Sequence, residues 1–390
     1  MPQLAIHTGR AFTPLAEIPD ALIVVQDGQI RSVGPRAGVQ LPPGAREFDA
    51  RSLAAAPGFV DVHVHGAAGR DVMEGTPQAL NAVAECLARH GTTSFLATTV
   101  SAGVEGTLRA LEGLATAIRV QLPDSPFAGA ECLGIHLEGP FLSPARRGVH
   151  PSNQLVSPSP ATLARFLAAA QGFARVLTLA PELPGAEDTI VAARGAGLIT
   201  AMGHTDATYD AAMRAIDLGA RHAVHVFNAM RPFSHRETGV LGAVLTDARV
   251  TAEVIADGVH VDEPALRLLL AAKHSDSVLL VSDGTPATDM PDGNYHLGSI
   301  EVTVSGGVSR NREGKIAGST LTLDRAVRHM ASLGVPPGTA IRMASLNPAA
   351  LLGVETRKGS LAPGADADIV LLDDSLNVKR VFIRGRPIDA

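Results

Sequence analysis

Short apolar runs alternate with Ala- and Leu-rich stretches through the middle of the chain, and this pattern limits the possible folds more than any other feature. It is typical of βαβ units arranged around a parallel sheet. Helical stretches of this kind cover residues 76–90, 160–171 and 263–274. The strand candidates between residues 56 and 350 end near His65, Val100, Gly139, Pro181, His204, Asn228, His260 and Gly284. Eight parallel strands close a (β/α)₈ barrel, so the sequence predicts a TIM-like barrel.

An open, doubly wound parallel sheet is the main alternative for this pattern. Sheets of that kind that bind dinucleotides carry a glycine-rich fingerprint directly after their first strand. No such fingerprint follows the first strand candidate, which ends near His65. The barrel is therefore the favoured prediction.

The two ends of the chain have a different, strand-rich pattern. Residues 21–26 and 29–33 are β-type segments on either side of an Asp-Gly turn signal, and residues 369–372 and 378–384 are also strand-like. We expect both ends to form one small β-sandwich domain, made of residues 1–55 and 351–390. The catalytic barrel would then cover residues 56–350, a length that a (β/α)₈ barrel can fill.

The composition argues against several classes of protein. The net charge is −6 and aromatic residues make up 3% of the chain, so a basic or stacking surface for nucleic acid is not expected. No uninterrupted apolar run reaches the ~18 residues that a transmembrane helix needs. The two cysteines, Cys86 and Cys132, are too few for a disulfide framework and indicate a reducing compartment. We expect a cytoplasmic protein with no membrane partner.

Two histidines close the first strand candidate. His63 and His65 are one residue apart, and alternate residues of a strand point to the same face. In a barrel, the carboxyl ends of the strands are where active sites are built. A pair of imidazoles there can bind a divalent metal, although hydrogen-bonded structural histidines are an equally good interpretation of the motif alone.

Residues of the same chemistry fall at later strand ends. Glu138 ends the third strand candidate, where a buried carboxylate is costly unless it is paired or binds a metal. His136 lies one layer deeper on the same face, which favours a role in the core or behind the ligands. The remaining residues of this kind are His204, His225 and Asp283. Core packing alone does not predict this set, so the sequence predicts a metal site.

The motifs around these residues resemble the amidohydrolase superfamily. Its members carry a His-x-His pair on the first strand, histidines on the fifth and sixth and an aspartate on the eighth. Where many members have a carboxylated lysine, this chain has Glu138, in His-Leu-Glu-Gly-Pro, which is similar to the N-acetylglucosamine-6-phosphate deacetylases. Further similar motifs lie at residues 225–236, 256–261 and 317–321, so the resemblance runs from residue 57 to about residue 364.

This resemblance implies a centre for one or two divalent metal ions. Glu138, His204 and His225 would hold one ion. His63 and His65 would complete a second site that shares Glu138. Imidazole and carboxylate ligands suit Zn²⁺ or Fe²⁺.

The resemblance also implies the reaction, which is hydrolysis of N-acetyl-D-glucosamine 6-phosphate to D-glucosamine 6-phosphate and acetate. Asp283 would act as general base toward water and then as general acid toward the amine. His150 would stabilise the oxyanion that forms on the acetyl carbonyl.

Substrate contacts follow from the same resemblance. Arg236 and His260 would bind the phosphate, with Arg236 reaching in from a neighbouring subunit, so a homodimer is expected. Val149 stands where relatives often carry alanine and could trim the acetyl pocket. The other residues expected at the sugar are Asn228, Ala229, Ala317, Gly318 and Ser319.

Three other functions compete with this one. Deacetylation of N-acetylgalactosamine 6-phosphate differs by one epimeric hydroxyl, which no motif distinguishes. A cyclic amidase of the superfamily would share the strand-one pair and the strand-eight aspartate, but Glu138 speaks against it. A non-enzymatic phosphosugar-binding barrel would be expected to lack some of these ligands, and none is missing.

Overall fold

The computed structural model describes residues 3–121 and 129–388. Its strands, in chain order, are β1 (Leu4–Phe12), β2 (Glu17–Gln26), β3 (Gln29–Pro35), β4 (Arg46–Pro57), β5 (Phe59–Val64), β6 (Gly66–Ala67), β7 (Arg70–Asp71), β8 (Thr92–Thr99), β9 (Glu131–Glu138), β10 (Ala174–Leu179), β11 (Ile199–Met202), β12 (Ala220–Ala223), β13 (Thr251–Val254), β14 (Val278–Leu280), β15 (Gly293–Leu297), β16 (Ile300–Ser305), β17 (Val308–Asn311), β18 (Ile369–Leu372), β19 (Val378–Ile383) and β20 (Arg386–Ile388).

The α-helices lie mainly between the strands of the central sheet, where the sequence predicts them. They are α1 (Pro77–Arg89), α2 (Gly103–Val120), α3 (Pro160–Ala170), α4 (Ala186–Gly195), α5 (Tyr209–Leu218), α6 (Gly239–Thr246), α7 (Glu263–Ala272), α8 (Leu323–Ser332), α9 (Pro337–Ala344) and α10 (Leu346–Leu351).

Eight parallel strands form the central sheet, and their order follows the chain: β5, β8, β9, β10, β11, β12, β13 and β14. Just beyond β14, Gly284 forms a parallel bridge with Val64 of β5, which joins the last strand to the first. Every residue of β5 and β8 is buried, as expected for strands covered on both faces. The predicted (β/α)₈ barrel is therefore confirmed.

The last three barrel strands are shorter than the sequence predicts. β12, β13 and β14 end at Ala223, Val254 and Leu280, several residues before the predicted ends at Asn228, His260 and Gly284. The chain leaves the strand conformation there because the site residues that follow need other backbone angles. Asp283, for example, has a φ of +49°, which no regular strand contains.

Both chain ends join one seven-stranded sheet, in the order β20, β19, β18, β4, β1, β2, β3. β4 is its link to the barrel, because it pairs with β1 on one side and β18 on the other and is followed directly by β5. The β2–β3 turn is made by Asp27 and Gly28, both at positive φ as a tight hairpin turn requires. The predicted small β domain made from both ends is thus present, while its boundaries at residues 55 and 350 stay predictions.

A three-stranded antiparallel sheet, β15–β16–β17, follows the last barrel strand and was missed in the sequence. A sequence pattern for this sheet can be recognised in retrospect. The second half of β16 alternates between buried and exposed residues, and Gly306-Gly307 makes the next turn. Leu297 and Val302 of this sheet pack against Val100 at the end of β8. It therefore covers part of the carboxyl-terminal end of the barrel.

A buried ion cluster ties the start of β9 to the segment that leads into β18. The Lys358 ammonium group is fully buried and lies 2.8–2.9 Å from carboxylate oxygens of Glu131, Asp366 and Asp368. Burial alone would raise the pKa of Glu131, but Arg357 and Lys358 outweigh it and lower that pKa to about 2. Glu131 is therefore ionised, and Lys358 is the fully buried cation that all three carboxylates share.

We expect Lys358→Met to lower the free energy of unfolding by about 3–5 kcal/mol, because it leaves the buried Asp368 carboxylate without its cation, while Arg357 stays beside Glu131 and Asp366. Urea denaturation followed by circular dichroism measures this. The control is Lys379→Met, which removes a half-exposed lysine 3.0 Å from Asp373 and should cost less than about 1 kcal/mol. Equal losses from the two substitutions would contradict the role of the cluster.

Candidate active site

The candidate site is centred on the carboxylate of Glu138, the last residue of β9, which is only 2% exposed. Five imidazoles surround this carboxylate at the carboxyl-terminal end of the barrel. The distances from their Nε2 atoms to the nearer Glu138 oxygen are 3.3 Å for His63, 3.4 Å for His65, 3.4 Å for His150, 3.2 Å for His204 and 2.9 Å for His225. The structure thus brings together all five predicted metal ligands and His150.

The rings of His63 and His65 are aimed by hydrogen bonds on their far sides. The Nδ1 atom of His65 lies 2.9 Å from the carbonyl oxygen of Thr98, which can only accept, so Nδ1 carries the proton. The Nδ1 atom of His63 lies 2.9 Å from Glu253, a fully buried carboxylate. In both rings Nδ1 is therefore engaged on the far side and Nε2 is directed at Glu138, which is the orientation in which a histidine presents Nε2 to a metal ion.

His204 and His225 follow their strands in unusual backbone conformations. Their φ angles are +46° and +27°, and Phe227, Ala229 and Asp283 are also at positive φ. Non-glycine residues rarely adopt such angles, and clusters of them are typical of functional sites. Burial lowers the pKa of His204 to about 4, so this ring is neutral near pH 7.

Asp283 completes the centre from the loop after β14. Its Oδ1 atom lies 3.0 Å from His65 Nε2 and 3.7 Å from His63 Nε2. Main-chain hydrogen bonds fix this loop: Asp283 donates to the carbonyl oxygen of His63, and Ser319 donates to that of Asp283. Gly318 is required beside it, because a Cβ there would lie 2.9 Å from the Asp283 carbonyl oxygen.

The donor set fits a divalent cation. Burial opposes protonation of His63, but Glu138 and Glu253 outweigh burial and hold its pKa well above the ordinary value. Burial would raise the pKa of Glu138, but the surrounding imidazoles, His63 above all, outweigh burial and hold this pKa well below its usual range. The centre therefore needs positive charge. His63 Nε2, buried and without a hydrogen-bond partner among the described residues, is placed to face such an ion.

A cavity of about 230 Å³ opens above this centre. Glu138 and Asp283 form part of its floor, with the imidazoles of His65, His150, His204 and His225. The predicted substrate residues that line it are Val149, Asn228, Ala229, His260 and Gly318. Its size is that of a small-molecule site rather than a macromolecular groove.

His150 presents a proton donor to this cavity. Its Nδ1 atom accepts a hydrogen bond of 3.2 Å from the main-chain N–H of Ser101, and the Ser101 hydroxyl lies 2.9 Å away. Because Nδ1 accepts, a neutral His150 carries its proton on Nε2, which faces Glu138. Sequence motifs could not have assigned this tautomer.

Three predicted substrate residues do not line the cavity of their own chain. Ala317 is fully buried, and Ser319 donates its hydroxyl proton to the carbonyl oxygen of Ser282. Arg236 is exposed on the loop between Ser234 and Gly239, outside the residues that line the cavity. A single chain therefore does not bring Arg236 to the centre.

Two residues at the site were missed in the sequence. Lys315 is the only lysine or arginine that lines the cavity among the described residues, and its ammonium group lies 2.8 Å from Glu313. Glu253 lies beneath the centre and bridges His63 to His222, whose Nε2 atom is 2.7 Å away. A charged residue inside the buried strand Thr251–Val254 is a signal that could have identified Glu253.

Comparison with known proteins identifies a family and relatives that match over nearly the full length of the chain. Residues 54–388 match the model of the amidohydrolase family. The chain is 40% identical over 98% of both chains to an N-acetylgalactosamine-6-phosphate deacetylase of Escherichia coli O157:H7. It is 36% identical to the N-acetylglucosamine-6-phosphate deacetylase of Bacillus subtilis, over 94% of this chain and 92% of the relative.

Solved structures agree with these relatives. A variant of N-acetyl-D-glucosamine-6-phosphate deacetylase from Mycobacterium smegmatis, in complex with N-acetyl-D-glucosamine-6-phosphate, is 36% identical. It superposes on this chain with a TM-score of 0.92 and covers 100% of both chains.

Within residues 3–121 and 129–388, no helix is both long enough and apolar enough to cross a membrane.

We expect Glu253→Gln to weaken divalent metal binding by about 10- to 100-fold, because the substitution removes the charge that aims His63 at the centre. Calorimetric titration of the metal-free protein with Zn²⁺ measures the affinity. The matched control is Asp61→Asn: Asp61 is equally buried, but it accepts from the main chain of His63 and not from its ring. Unchanged affinity in Glu253→Gln, or an equal loss in both variants, would remove Glu253 from this role.

Proposed function

The chain belongs to the amidohydrolase family, and we propose that it hydrolyses N-acetyl-D-glucosamine 6-phosphate to D-glucosamine 6-phosphate and acetate. One observation carries this proposal above the others. The small cavity is lined by the Glu138 carboxylate and the imidazoles around it. The chain that contains it superposes over its full length on an enzyme in complex with that sugar phosphate. A hydrolase with a divalent metal is the activity that such a donor set supports.

The proposed cofactor is one or two ions of Zn²⁺ or Fe²⁺. Glu138, His204 and His225 would hold one ion, and His63 with His65 would hold a second beside the same carboxylate. A bound ion would supply Lewis acidity, which makes water a nucleophile near neutral pH.

The side chains around the cavity provide the proton transfers. The Asp283 carboxylate, which Ser319 and His63 hold in place through the main chain, accepts the proton from the attacking water. His150 donates a hydrogen bond from its Nε2–H to the carbonyl oxygen as negative charge develops there, and it keeps the proton. Asp283 then returns the proton to the departing amine nitrogen, so that one carboxylate serves first as base and then as acid.

In our proposal, basic side chains from two subunits bind the phosphate. His260 lines the cavity and is held by Asp257, 2.7 Å from its Nδ1 atom, and Lys315 lies at the same cavity. Arg236 would act in the neighbouring subunit of a homodimer, in keeping with its exposed position outside its own cavity. Asn228, Ala229 and the segment of residues 317–319 would place the sugar.

The galacto epimer is a second candidate substrate, because one relative with 40% identity carries that name. The gluco form is favoured by the other relatives named above and by the superposed structure with bound N-acetyl-D-glucosamine-6-phosphate. We also propose a reducing location such as the cytoplasm, because Cys86 and Cys132 are both free.

The function is tested by the release of free amine from each epimer. We expect metal-dependent release from N-acetylglucosamine 6-phosphate, lost on chelation and restored by Zn²⁺ or Fe²⁺. A higher kcat/KM for the galacto epimer would reassign the substrate and leave the chemistry intact. A folded, metal-loaded protein that releases amine from neither sugar but opens a cyclic amide would overturn the proposal.

Asp283→Asn should lower kcat by about 100- to 10,000-fold, because the amide cannot accept the proton from water. Stopped assays at saturating substrate measure kcat, while metal content and substrate affinity, measured in parallel, should change little. Near-normal turnover in a metal-loaded Asp283→Asn protein would exclude the proton-transfer role.

Arg236→Ala and Lys315→Met should each raise KM for the phosphorylated sugar by about 10- to 100-fold, the worth of one hydrogen bond to a charged group. The unphosphorylated sugar is the control substrate, and its KM should change little. Equal effects on both sugars would remove that residue from phosphate binding.

Hybrid dimers test whether Arg236 acts between subunits. Asp283→Asn and Arg236→Ala subunits, mixed and refolded together, should form dimers with one intact site, in which Asp283 meets Arg236 of the partner subunit. Activity should therefore exceed that of either variant alone. No gain in verified hybrid dimers would place Arg236 in its own subunit's site or outside the mechanism.

A further inference from the structure

A second group of metal-binding side chains lies between α1, the loop after β14 and the start of α8, away from the Glu138 centre. Cys86 lies in the last turn of α1, and His90, four residues later, caps the carboxyl end of this helix beside the loop. Asp289 of the loop faces both of them. The distances are 3.7 Å from Cys86 Sγ to Asp289 Oδ2 and 3.4 Å from His90 Nε2 to Asp289 Oδ1.

We propose that Cys86, His90 and Asp289 bind a divalent cation, with Zn²⁺ the best match. One ligand atom from each residue lies within 4.8 Å of the other two, so small side-chain shifts would bring all three to one ion. Thiolate, imidazole and carboxylate together form a donor set that Zn²⁺ prefers and that Mg²⁺ and Ca²⁺ do not. His90 and Asp289 are partly exposed, which leaves a path for the ion and a fourth position for water.

A carboxylate behind His90 supports this proposal independently. Asp324 is only 6% exposed, and its Oδ1 atom has no hydrogen-bond partner among the described residues. That atom lies 3.7 Å from Nδ1 of His90, on the side of the ring opposite to Asp289. Histidines that bind metals through one nitrogen usually donate the other N–H to such a carboxylate.

The contacts present without an ion can be replaced at small cost. Arg89 lies 3.1 Å from Asp289, but both side chains are more than a third exposed, and exposed pairs contribute only about 0–1 kcal/mol. Burial raises the pKa of the Cys86 thiol to about 12, so this thiol is protonated and unreactive while no cation is near. A redox role for Cys86 is therefore disfavoured, whereas a coordinating cation removes the thiol proton.

An ion at this position would fasten the loop that carries Asp283. Asp289 belongs to the same connection after β14, and Cys86 belongs to the core side of α1. The ion would therefore be structural, and its loss should lower thermal stability without changing the reacting groups.

Cobalt substitution distinguishes this site from the catalytic centre. The centre offers nitrogen and oxygen donors only, so a sulfur-to-Co²⁺ charge-transfer band in the near ultraviolet reports the Cys86 site alone. We expect the band in the metal-free full-length protein titrated with Co²⁺. It should disappear in Cys86→Ser, weaken strongly in His90→Gln and persist in Cys132→Ser, which removes the other buried cysteine.

Two further measurements keep the proposal falsifiable if Cys86→Ser folds poorly. Arg89→Gln should bind Co²⁺ at this site more tightly, because it removes the cation that competes for Asp289. His90→Gln should hold one fewer Zn²⁺ per subunit than the parent protein, with kcat for deacetylation unchanged. The proposal is overturned if the parent protein shows no charge-transfer band at stoichiometric Co²⁺, or if the band survives in Cys86→Ser.

Discussion

The arrangement of the site depends on one buried carboxylate. Glu138 lies at the end of a barrel strand, where solvent cannot stabilise its charge, and a charge in that position is tolerated only with strong compensation. Five imidazoles supply part of it and the centre fits a divalent cation for the rest. Two of these histidines, His204 and His225, reach the carboxylate from positive φ angles just beyond their strands.

A second layer of charge lies beneath this one. Glu253 contacts His63 and His222, so the barrel interior contains an anion whose effect reaches the centre through an imidazole ring. Such a layer orients the ring of His63, as the main-chain N–H of Ser101 orients the ring of His150. The roles of the histidines are thus set by groups that never touch the cavity.

The sequence predicts most reliably the site residues that lie on regular strands. His63, His65 and Glu138 sit on or directly after long buried strands, so alternation and strand order were enough to bring them together. His225 and Asp283 follow their strands on loops, and the residue pattern still placed them near the strand ends. The phosphate-binding role of His260 was predicted only from the family resemblance. Lys315 and the β15–β17 sheet were missed because an insertion over the barrel mouth has no counterpart in the repeating pattern. Arg236 differs from these residues, because it is proposed to act in a neighbouring subunit. Its contact with the site therefore does not exist within one chain.

The seven-stranded sheet formed by both chain ends affects how the protein folds during its synthesis. β4 pairs on one side with β1 and on the other with β18, which lies near the far end of the chain. While the ribosome synthesises the barrel, one edge of β4 therefore stays open, with unpaired main-chain groups that attract other strands. The edge of β4 at Ala54–Pro57 is closed only after β18 has emerged, so this edge is open to pairing with other strands throughout synthesis of the barrel.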